Sequence, residues 1–369
     1  MSINSTKDEV PSLEIKDISK SYLSKKVLNK INLKLFRGKI SCLLGPSGCG
    51  KSTTLKIIAG IERQDKGEVH MEGTLLSNMY ENQNQSENRD IGLVFQDFAL
   101  FPHLTVYENV SYGLQGIMSL TLKKKRVSEL LEKVNLTNYE HKYPHTLSGG
   151  EQQRVALIRA IAPRPRVMLM DEPFSGLDDR LRDEVRDYTL EILRDEQVAV
   201  LLVTHDPNEA MKMADNLFLM RDGELVQQGA PYNIYNSPID LEVAQFFSDI
   251  NVLKGAVKNS QVDTPFGPFF TPGLIDGISV SIVIRPQHLK LDFDRNGVGP
   301  EPSVSDGIAA KGRIVRSRFV GKESIVEMEI DNFPLRLKVT IPGVFLPPNG
   351  VPLWVSMRRD RCFVFPNNN

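Results

Sequence analysis

A glycine-rich segment of eight residues, Gly45 to Ser52 (GPSGCGKS), constrains the fold of this 369-residue chain more than any other feature. It follows a β-rich run, Ile40 to Gly45 (ISCLLG), and precedes a helical pattern, Lys51 to Ile61. Glycines let backbone N–H groups converge on phosphate oxygens, and the following helix adds the positive end of its dipole. The sequence therefore predicts a nucleotide-phosphate site on a strand-loop-helix unit.

Two side chains of this loop predict how the phosphates are held. Lys51 supplies a mobile charge for the β and γ phosphates, and the Ser52 hydroxyl can ligate Mg²⁺. Many kinases, GTPases and motors share such a loop, so the loop alone indicates only a nucleotide-binding protein. The predicted nucleotide ligands are the residues of this loop and the one that follows it: Gly45, Pro46, Ser47, Gly48, Cys49, Gly50, Lys51, Ser52 and Thr53.

A second apolar run ends in carboxylates, in the sequence VMLMDEP from Val167 to Pro173. A buried parallel strand would present these carboxylates at its C-terminal edge, beside the phosphate loop. Asp171 would then hold Mg²⁺ through its water shell, and Glu172 could polarise an attacking water as general base. Asp-Glu after a strand is also a common helix start. The phosphate loop upstream favours the catalytic interpretation.

The pentapeptide LSGGE, Leu147 to Glu151, begins another helical pattern. Ser148 offers a hydroxyl, while Gly149 and Gly150 offer unobstructed N–H groups at a helix N-terminus, which is an anion site. The same residues would also make a simple capped helix start. The residues alone favour the capped helix start.

The phosphate loop, LSGGE and VMLMDEP together resemble the ATP-binding subunits of ABC importers. The resemblance implies an α/β fold: a P-loop NTPase (ABC ATPase) core with a helical subdomain, followed by a small all-β OB-like domain. The periodicity agrees, because strand and helix patterns alternate up to about Phe247 and short strands alone follow Asn251. We predict an ATPase domain at 1–247, with a helical insert at about 97–160, and an OB-like regulatory domain at 252–369.

In this family two ATPase domains pack head to tail, so the resemblance implies a homodimer in which Ser148, Gly149 and Gly150 reach ATP in trans. Asp178 (in FSGLDD) matches the aspartate that touches the partner. Tyr22, in SKSY before the first strand, resembles the residue that stacks on adenine. Gln96 resembles the glutamine that ligates Mg²⁺, and His205 resembles the switch histidine at the γ phosphate. The implied catalytic residues are Glu172, His205 and Gln96, and the implied metal ligands are Ser52, Gln96 and Asp171.

The resemblance also implies partners and a location. These are transmembrane permease subunits, contacted through Phe98 to Leu114, and indirectly a periplasmic solute-binding protein, at the cytoplasmic face of the bacterial inner membrane. The longest apolar run, around Val198 to Val203, is far below the roughly 20 residues of a membrane-spanning helix. The N-terminus has neither the basic start nor the apolar core of a secretory signal. Any membrane association should therefore be peripheral.

The segments RAIAPRPRVMLMDEPFSGLD and APYNIYNSP, Arg159 to Asp178 and Ala230 to Pro238, resemble ferric-iron importers most. Polyamine, sulfate, molybdate and sugar import remain open, because nothing in the predicted chemistry recognises iron. A non-transport ABC ATPase is a more distant alternative. An oligonucleotide-reading β domain is another, but residues 252–369 hold 15 Lys+Arg against 11 Asp+Glu, too mild an excess to indicate nucleic acid.

Two local predictions can be tested directly in the structure. If Asp331 to Pro334 form a turn, Ile330 faces Leu335, Met328 faces Leu337 and Val326 faces Val339 on the buried side. The same register sets Glu329 opposite Arg336 and Glu327 opposite Lys338 on the other side. The basic run Lys123 to Arg126 is interpreted as the solvated face of a helix.

Overall fold

The computed structural model describes residues 10–80, 86, 89–294, 297–303 and 305–367, without the side chains of 179 and 180. The chain forms two compact units that divide between Ile234 and Tyr235. This division lies upstream of the boundary at 247–252 that the sequence pattern favours, because a short helix at 241–247 belongs to the second unit.

The first unit is built on a six-stranded sheet in the order β10-β9-β3-β8-β7-β6. Five strands are parallel and only β10 runs antiparallel. Every side chain of β3 and β8 is buried, as expected for strands covered on both faces. The strands are β3 (Ile40–Leu44), β6 (Ile91–Val94), β7 (Val167–Asp171), β8 (Ala199–Val203), β9 (Asn216–Arg221) and β10 (Glu224–Gly229).

A second, antiparallel sheet of the same unit has the order β2-β1-β4-β5. Its strands are β1 (Leu13–Tyr22), β2 (Lys25–Leu35), β4 (Lys66–Met71) and β5 (Thr74–Ser77). The prediction that Tyr22 precedes the first strand is wrong, since Tyr22 is the last residue of β1 and pairs with Lys25 across a tight turn. The charged alternation of β1 conceals this strand in the sequence.

Helices pack around these sheets, and several of them lie in the stretch for which a helical insert is predicted. Residues 97–160 contain α2, α3 and most of α4, with no strand. The helices of the chain are α1 (Lys51–Ala59), α2 (Val106–Ser111), α3 (Leu120–Lys133), α4 (Gly149–Ile161), α5 (Asp179–Asp195), α6 (Pro207–Met213), α7 (Pro231–Asn236) and α8 (Leu241–Phe247). At the C-terminal end of α1 the Ile57 and Ile58 carbonyls accept hydrogen bonds of 3.1 and 2.8 Å from the buried Arg89 guanidinium.

The basic run is a solvated helix face only in part. Lys124 and Lys125 are exposed in α3, whereas Arg126 is buried. Arg126 forms a two-pronged ion pair with Glu196, with both N–O distances at 3.0 Å. The interpretation is therefore wrong for Arg126, because helical periodicity turns this residue toward the C-terminal end of α5.

The second unit is largely β structure, with sheets of order β11-β14-β20, β12-β13 and β15-β19-β16-β17-β18. This all-β arrangement is consistent with the predicted OB-like domain. The strands are β11 (Asn251–Ala256), β12 (Gln261–Thr264), β13 (Gly267–Phe270), β14 (Ser279–Ile284), β15 (Leu289–Phe293), β16 (Ala310–Phe319), β17 (Glu323–Ile330), β18 (Arg336–Pro342), β19 (Pro352–Met357) and β20 (Phe363–Pro366).

The predicted register of the β17–β18 hairpin is confirmed. Val326 faces Val339 and Met328 faces Leu337, and all four are fully buried. On the opposite side, Arg336 Nη2 lies 2.8 Å from Glu329 Oε1. Glu327 and Lys338 also stand opposite each other, but they do not form an ion pair with one another. Glu327 instead binds Arg318, and Lys338 binds Asp249.

Candidate nucleotide site

The phosphate loop leaves the C-terminal end of β3 and turns into α1. Gly45 has φ 152°, and a Cβ there would lie 2.3 Å from the Met220 carbonyl oxygen of β9. Gly50, which precedes the first residue of α1, has φ 108°, and its Cβ would lie 2.5 Å from Leu28 Cδ2. A side chain at either position would collide with its neighbour and strain the backbone, so the shape of the loop requires glycine.

Lys51 is buried inside the loop. Its Nζ donates hydrogen bonds of 2.8 Å to the Gly45 carbonyl and 2.9 Å to the Pro46 carbonyl. The neighbouring Cys49 thiol is also buried, and burial raises its pKa although the Lys51 charge opposes this. The thiol is therefore neutral at neutral pH, and the ammonium group carries the positive charge of the loop.

A cavity of about 280 Å³ opens at this loop and brings several predicted residues together. Glu172 lines it although it is more than a hundred residues away in sequence. The lining residues are Val27, Ser47, Gly48, Gly50, Lys51, Ser52, Thr53 and Glu172.

Two predicted metal ligands, Ser52 and Asp171, are in direct contact. The Ser52 hydroxyl donates a hydrogen bond of 3.3 Å to Asp171 Oδ1. Burial raises the pKa of Asp171, the bond from Ser52 lowers it, and the nearby Glu172 carboxylate raises it further. The contact places two oxygen ligands, one of them a carboxylate, at the start of α1.

Glu172 and His205 form the second contact of the site. Glu172 has φ 45°, an unusual value for a residue other than glycine, and its N–H is bonded to the Val203 carbonyl at 2.9 Å. Its Oε1 lies 3.0 Å from His205 Nδ1. Backbone strain of this kind costs about 1–3 kcal/mol and is most common at functional sites. Here the strained turn aims the carboxylate at both the cavity and the histidine.

The predicted Gln96 follows β6, and its Nε2 lies 3.5 Å from Ser175 Oγ. Ser175 also donates from Oγ to the Glu172 carbonyl at 3.0 Å. Ser175 is not predicted from the sequence, although its position three residues after Glu172 is the spacing of a turn. Ser175 therefore links Gln96 to the strained turn at Glu172.

Tyr22 lies at the exposed end of β1, and its hydroxyl is hydrogen-bonded to the Glu62 carboxylate, a partner that the sequence did not indicate. Partial burial and the Glu62 carboxylate raise the pKa of Tyr22, whereas a hydrogen bond with Thr53 lowers it. The ring is therefore held beside the first turn of α1.

The LSGGE turn is a capped helix start. The Ser148 hydroxyl accepts from the Glu151 N–H at 3.4 Å, and Glu151 Oε2 accepts from the Ser148 N–H at 2.7 Å. This is a capping box, which satisfies two otherwise unpaired N–H groups. Although partial burial opposes it, the bonding to Ser148 lowers the pKa of Glu151. Within the described residues, no hydrogen bond or ion pair joins Ser148, Gly149 or Gly150 to the phosphate loop.

Asp178 also caps a helix, since its Oδ1 accepts from the Leu181 N–H at 3.2 Å at the start of α5. The side chain is otherwise exposed. Asp178 therefore stands at the surface, six residues beyond Glu172.

A phosphate loop, a parallel strand of the same sheet that leads into two carboxylates, and a histidine beside the second carboxylate define a nucleotide-binding ATPase of the P-loop class. The sequence profile described as "ABC transporter" matches residues 28–175. The putrescine transport ATP-binding protein PotG of Escherichia coli K12 is 34% identical over 365 residues, covering 96% of this chain and 95% of its own. The chain belongs to the family of ABC transporter ATP-binding proteins of the importer type.

A second relative and a solved structure agree with this family. The Fe(3+) ions import ATP-binding protein FbpC 2 of Pectobacterium atrosepticum is 40% identical over 349 residues, covering 93% of this chain and 97% of its own. The structure of cbiO1 from Clostridium perfringens, part of the ABC transporter complex cbiONQ, matches with a TM-score of 0.57 and 28% identity. It covers 62% of this chain and 92% of its own. In the part of the chain that the structure describes, no helix is both long and apolar enough to cross a membrane.

Proposed function

We propose that this protein is the ATP-hydrolysing subunit of a bacterial importer that takes up ferric iron. It works at the cytoplasmic face of the inner membrane and drives a separate permease, which receives solute from a periplasmic binding protein. The observation that carries the ATPase role is the grouping of Lys51, Ser52 and Glu172 around one cavity, with Asp171 and His205 in contact with this group. A chain without such a role has no need of this grouping.

The donor set near Ser52 fits Mg²⁺. A hydroxyl and a carboxylate in contact at 3.3 Å are hard oxygen ligands. Gln96, which contacts Ser175, would supply a third oxygen. Burial keeps Asp171 away from competing water and strengthens its attraction for a cation. Bound there with ATP, Mg²⁺ would offset the negative charge of the phosphate oxygens.

Hydrolysis is assigned to the Glu172–His205 pair. Glu172 accepts the proton of the water that attacks the γ phosphate, and His205, 3.0 Å from its Oε1, orients the carboxylate and contacts the γ phosphate. Lys51 moves its Nζ from the loop carbonyls to the β and γ phosphates. Tyr22, held beside the start of α1, stacks on adenine.

The remaining ligands come from a second copy of the chain. Ser148, Gly149 and Gly150 present the N-terminus of α4, whose positive dipole end suits the γ phosphate of the partner's ATP in a head-to-tail homodimer. The exposed position of Ser148 and Asp178 supports an intermolecular role for both. ATP binding closes this dimer and hydrolysis opens it.

The permease contact is assigned to Phe98 to Leu114. Asn109, fully buried in α2, accepts from the Phe101 N–H at 2.9 Å and donates to the Phe101 carbonyl at 3.1 Å. The Phe101 and Tyr112 rings lie 4.6 Å apart, and His103 is exposed. Because this turn is rigid and exposes aromatic and imidazole groups, it suits contact with a docked helix of the permease, to which it would transmit the motion of the dimer.

Ferric iron is supported by the sequence segments Arg159–Asp178 and Ala230–Pro238 and by the relative named for Fe(3+) import. The second candidate is a polyamine, since another relative is named for putrescine transport.

The β domain acts as a regulatory module and does not bind nucleic acid.

The deciding experiment reconstitutes this subunit with its permease and binding protein in vesicles and measures ATP hydrolysis with each solute. We expect stimulation by Fe³⁺ on the binding protein and none by putrescine. Stimulation by putrescine alone would overturn the iron assignment and leave the ATPase role intact.

A further inference from the structure

Beyond the site described above, the first unit holds a buried acid, Glu209, in the helix that follows His205. The residue is 9% exposed. Its Oε2 accepts a hydrogen bond of 2.9 Å from Thr204 Oγ1, and Thr204 itself is buried. A buried carboxylate is unfavourable unless it is hydrogen-bonded or paired. Its partners therefore indicate what this residue does.

The first partner fixes the turn that carries His205. Besides donating to Glu209, Thr204 Oγ1 accepts from the Asp206 N–H at 3.1 Å, and the Thr204 N–H is bonded to the Leu43 carbonyl of β3 at 3.3 Å. His205 thus stands between two residues whose positions are locked. Glu209 accepts a hydrogen bond from the Thr204 hydroxyl, which is at the centre of this arrangement.

The second partner is Arg182 on α5. Arg182 Nε lies 3.9 Å from Glu209 Oε1. The same guanidinium donates from Nε to the Phe174 carbonyl at 3.2 Å and from Nη2 to the Leu177 carbonyl at 2.6 Å. Phe174 and Leu177 belong to the short segment between Glu172 and Asp178, so one side chain contacts this segment and Glu209 together.

The charges around Glu209 come from α5 and from the turn before α6. Burial raises the pKa of Glu209, the bond from Thr204 lowers it, the Asp206 charge raises it, and Arg182 and Arg186 lower it. Arg186 is already paired with Asp183 and Asp187. Arg182 is therefore the cation best placed to respond to Glu209.

We propose that Glu209 and Arg182 are positioning residues that fix the His205 turn and the Glu172–Asp178 segment relative to each other. This inference rests on the proposed function, in which His205 contacts the γ phosphate and Asp178 contacts the partner subunit. A shift of the Asp178 segment at the dimer interface passes through Arg182 and Glu209 to Thr204 and so to His205. The pair makes the histidine responsive to the second copy of the chain.

The test uses the full-length protein and two conservative variants. Glu209→Gln keeps an oxygen for Thr204 but loses the charge toward Arg182. Arg182→Lys keeps the charge but loses the forked contact with the two carbonyls. We expect each to lower kcat for ATP about tenfold through misplacement of His205. The dissociation constant for a fluorescent ATP analogue should change less than twofold, because neither residue lines the phosphate-loop cavity.

A double-mutant cycle separates positioning from a general effect on folding. Combining Glu209→Gln with Thr204→Val should lower kcat no further than the stronger single change, since the two changes interrupt the same chain of contacts, one at Arg182–Glu209 and the other at Glu209–Thr204. Lys212→Gln, on the same helix and exposed, is the matched control and should leave kcat and the thermal midpoint unchanged.

Two outcomes overturn the inference: wild-type kcat in both Glu209→Gln and Arg182→Lys, or a loss of kcat fully explained by a lowered fraction of folded protein. A wild-type chain that binds the analogue but hydrolyses no ATP would contradict the proposed function instead.

Discussion

The ion pair between Arg126 and Glu196 offers the sharpest test of how the helical insert is attached to the α/β core. Both side chains are almost buried, at 7% and 14% exposure, and the guanidinium holds both carboxylate oxygens at 3.0 Å. Arg126 also donates to the Ala162 and Ile161 carbonyls, each at 3.4 Å. One side chain therefore joins α3 to the end of α4 and to the C-terminal end of α5.

Glu196→Gln removes the charge and leaves one of the two acceptor oxygens. Loss of a buried charge-assisted hydrogen bond costs about 2 kcal/mol, while the two carbonyls still satisfy part of Arg126. For a domain of this size, 1 kcal/mol corresponds to about 2–4 °C, so the thermal midpoint should fall by about 4–8 °C.

The effect should depend on pH. Burial acts to raise the pKa of Glu196, but the bonds and charge of Arg126, together with the charges of Lys133 and Arg164, outweigh it and lower the pKa from 4.5. A carboxylate with a depressed folded-state pKa stabilises the protein above its unfolded pKa, and the stabilisation disappears as pH falls through the folded value. The difference in thermal midpoint between wild type and Glu196→Gln should be largest at pH 7 and should decrease below about pH 4.5.

Differential scanning calorimetry from pH 3.5 to pH 7 measures both quantities. Lys133→Gln is the control, because Lys133 is 37% exposed and 3.6 Å from Glu196, and such a pair contributes less than about 1 kcal/mol. The ion pair does not stabilise the protein as described if Glu196→Gln melts within about 1 °C of wild type at pH 7. The same conclusion follows if Lys133→Gln melts at a lower temperature than Glu196→Gln.

Two further substitutions test other parts of the structure. Gly45→Ala should weaken binding of a fluorescent ATP analogue at least about tenfold, because the new Cβ would lie 2.3 Å from the Met220 carbonyl and the loop must move. Gly176→Ala, whose Cβ meets nothing within 4 Å, should bind normally, and equal affinity of the two variants would contradict the assigned loop shape. Met328→Ala should destabilise the second unit by about 3 kcal/mol in urea unfolding, because Met328 is fully buried in its core. The exposed change Val344→Ala should have no effect there, and similar losses from both would count against the confirmed register.

The parts of the fold that sequence predicted best are those fixed by local pattern. The β17–β18 hairpin followed from alternation of apolar and charged residues on both sides of a turn, since a shift of one residue would reverse every face. The phosphate loop was equally local, because glycine spacing and the flanking strand and helix patterns lie within about twenty residues.

The features that were not predicted from the sequence depend on contacts between residues that are distant along the chain. Arg126 reads as one of four basic residues, and only the position of Glu196 in the fold shows that it is buried. Tyr22 ends a strand rich in charged residues, so the strand was not recognised. Ser175 gains its importance from Gln96, 79 residues away.

The LSGGE turn illustrates a different limit. Its capping box is predictable from Ser148 and Glu151, and the structure contains it. The proposed role toward a second ATP depends on a second copy of the chain, which no intramolecular contact of this turn reveals.

In the proposed function, two copies of this chain close on ATP and Glu172 ends the closed state by hydrolysis. The most direct measurement is the molar mass of Glu172→Gln by light scattering, with and without Mg²⁺ and ATP. We predict that ATP converts this variant from a monomer of 41.5 kDa to a stable dimer, while the wild type dimerises only transiently. A Glu172→Gln protein that stays monomeric with ATP bound, or that hydrolyses ATP at the wild-type rate, would contradict the claim.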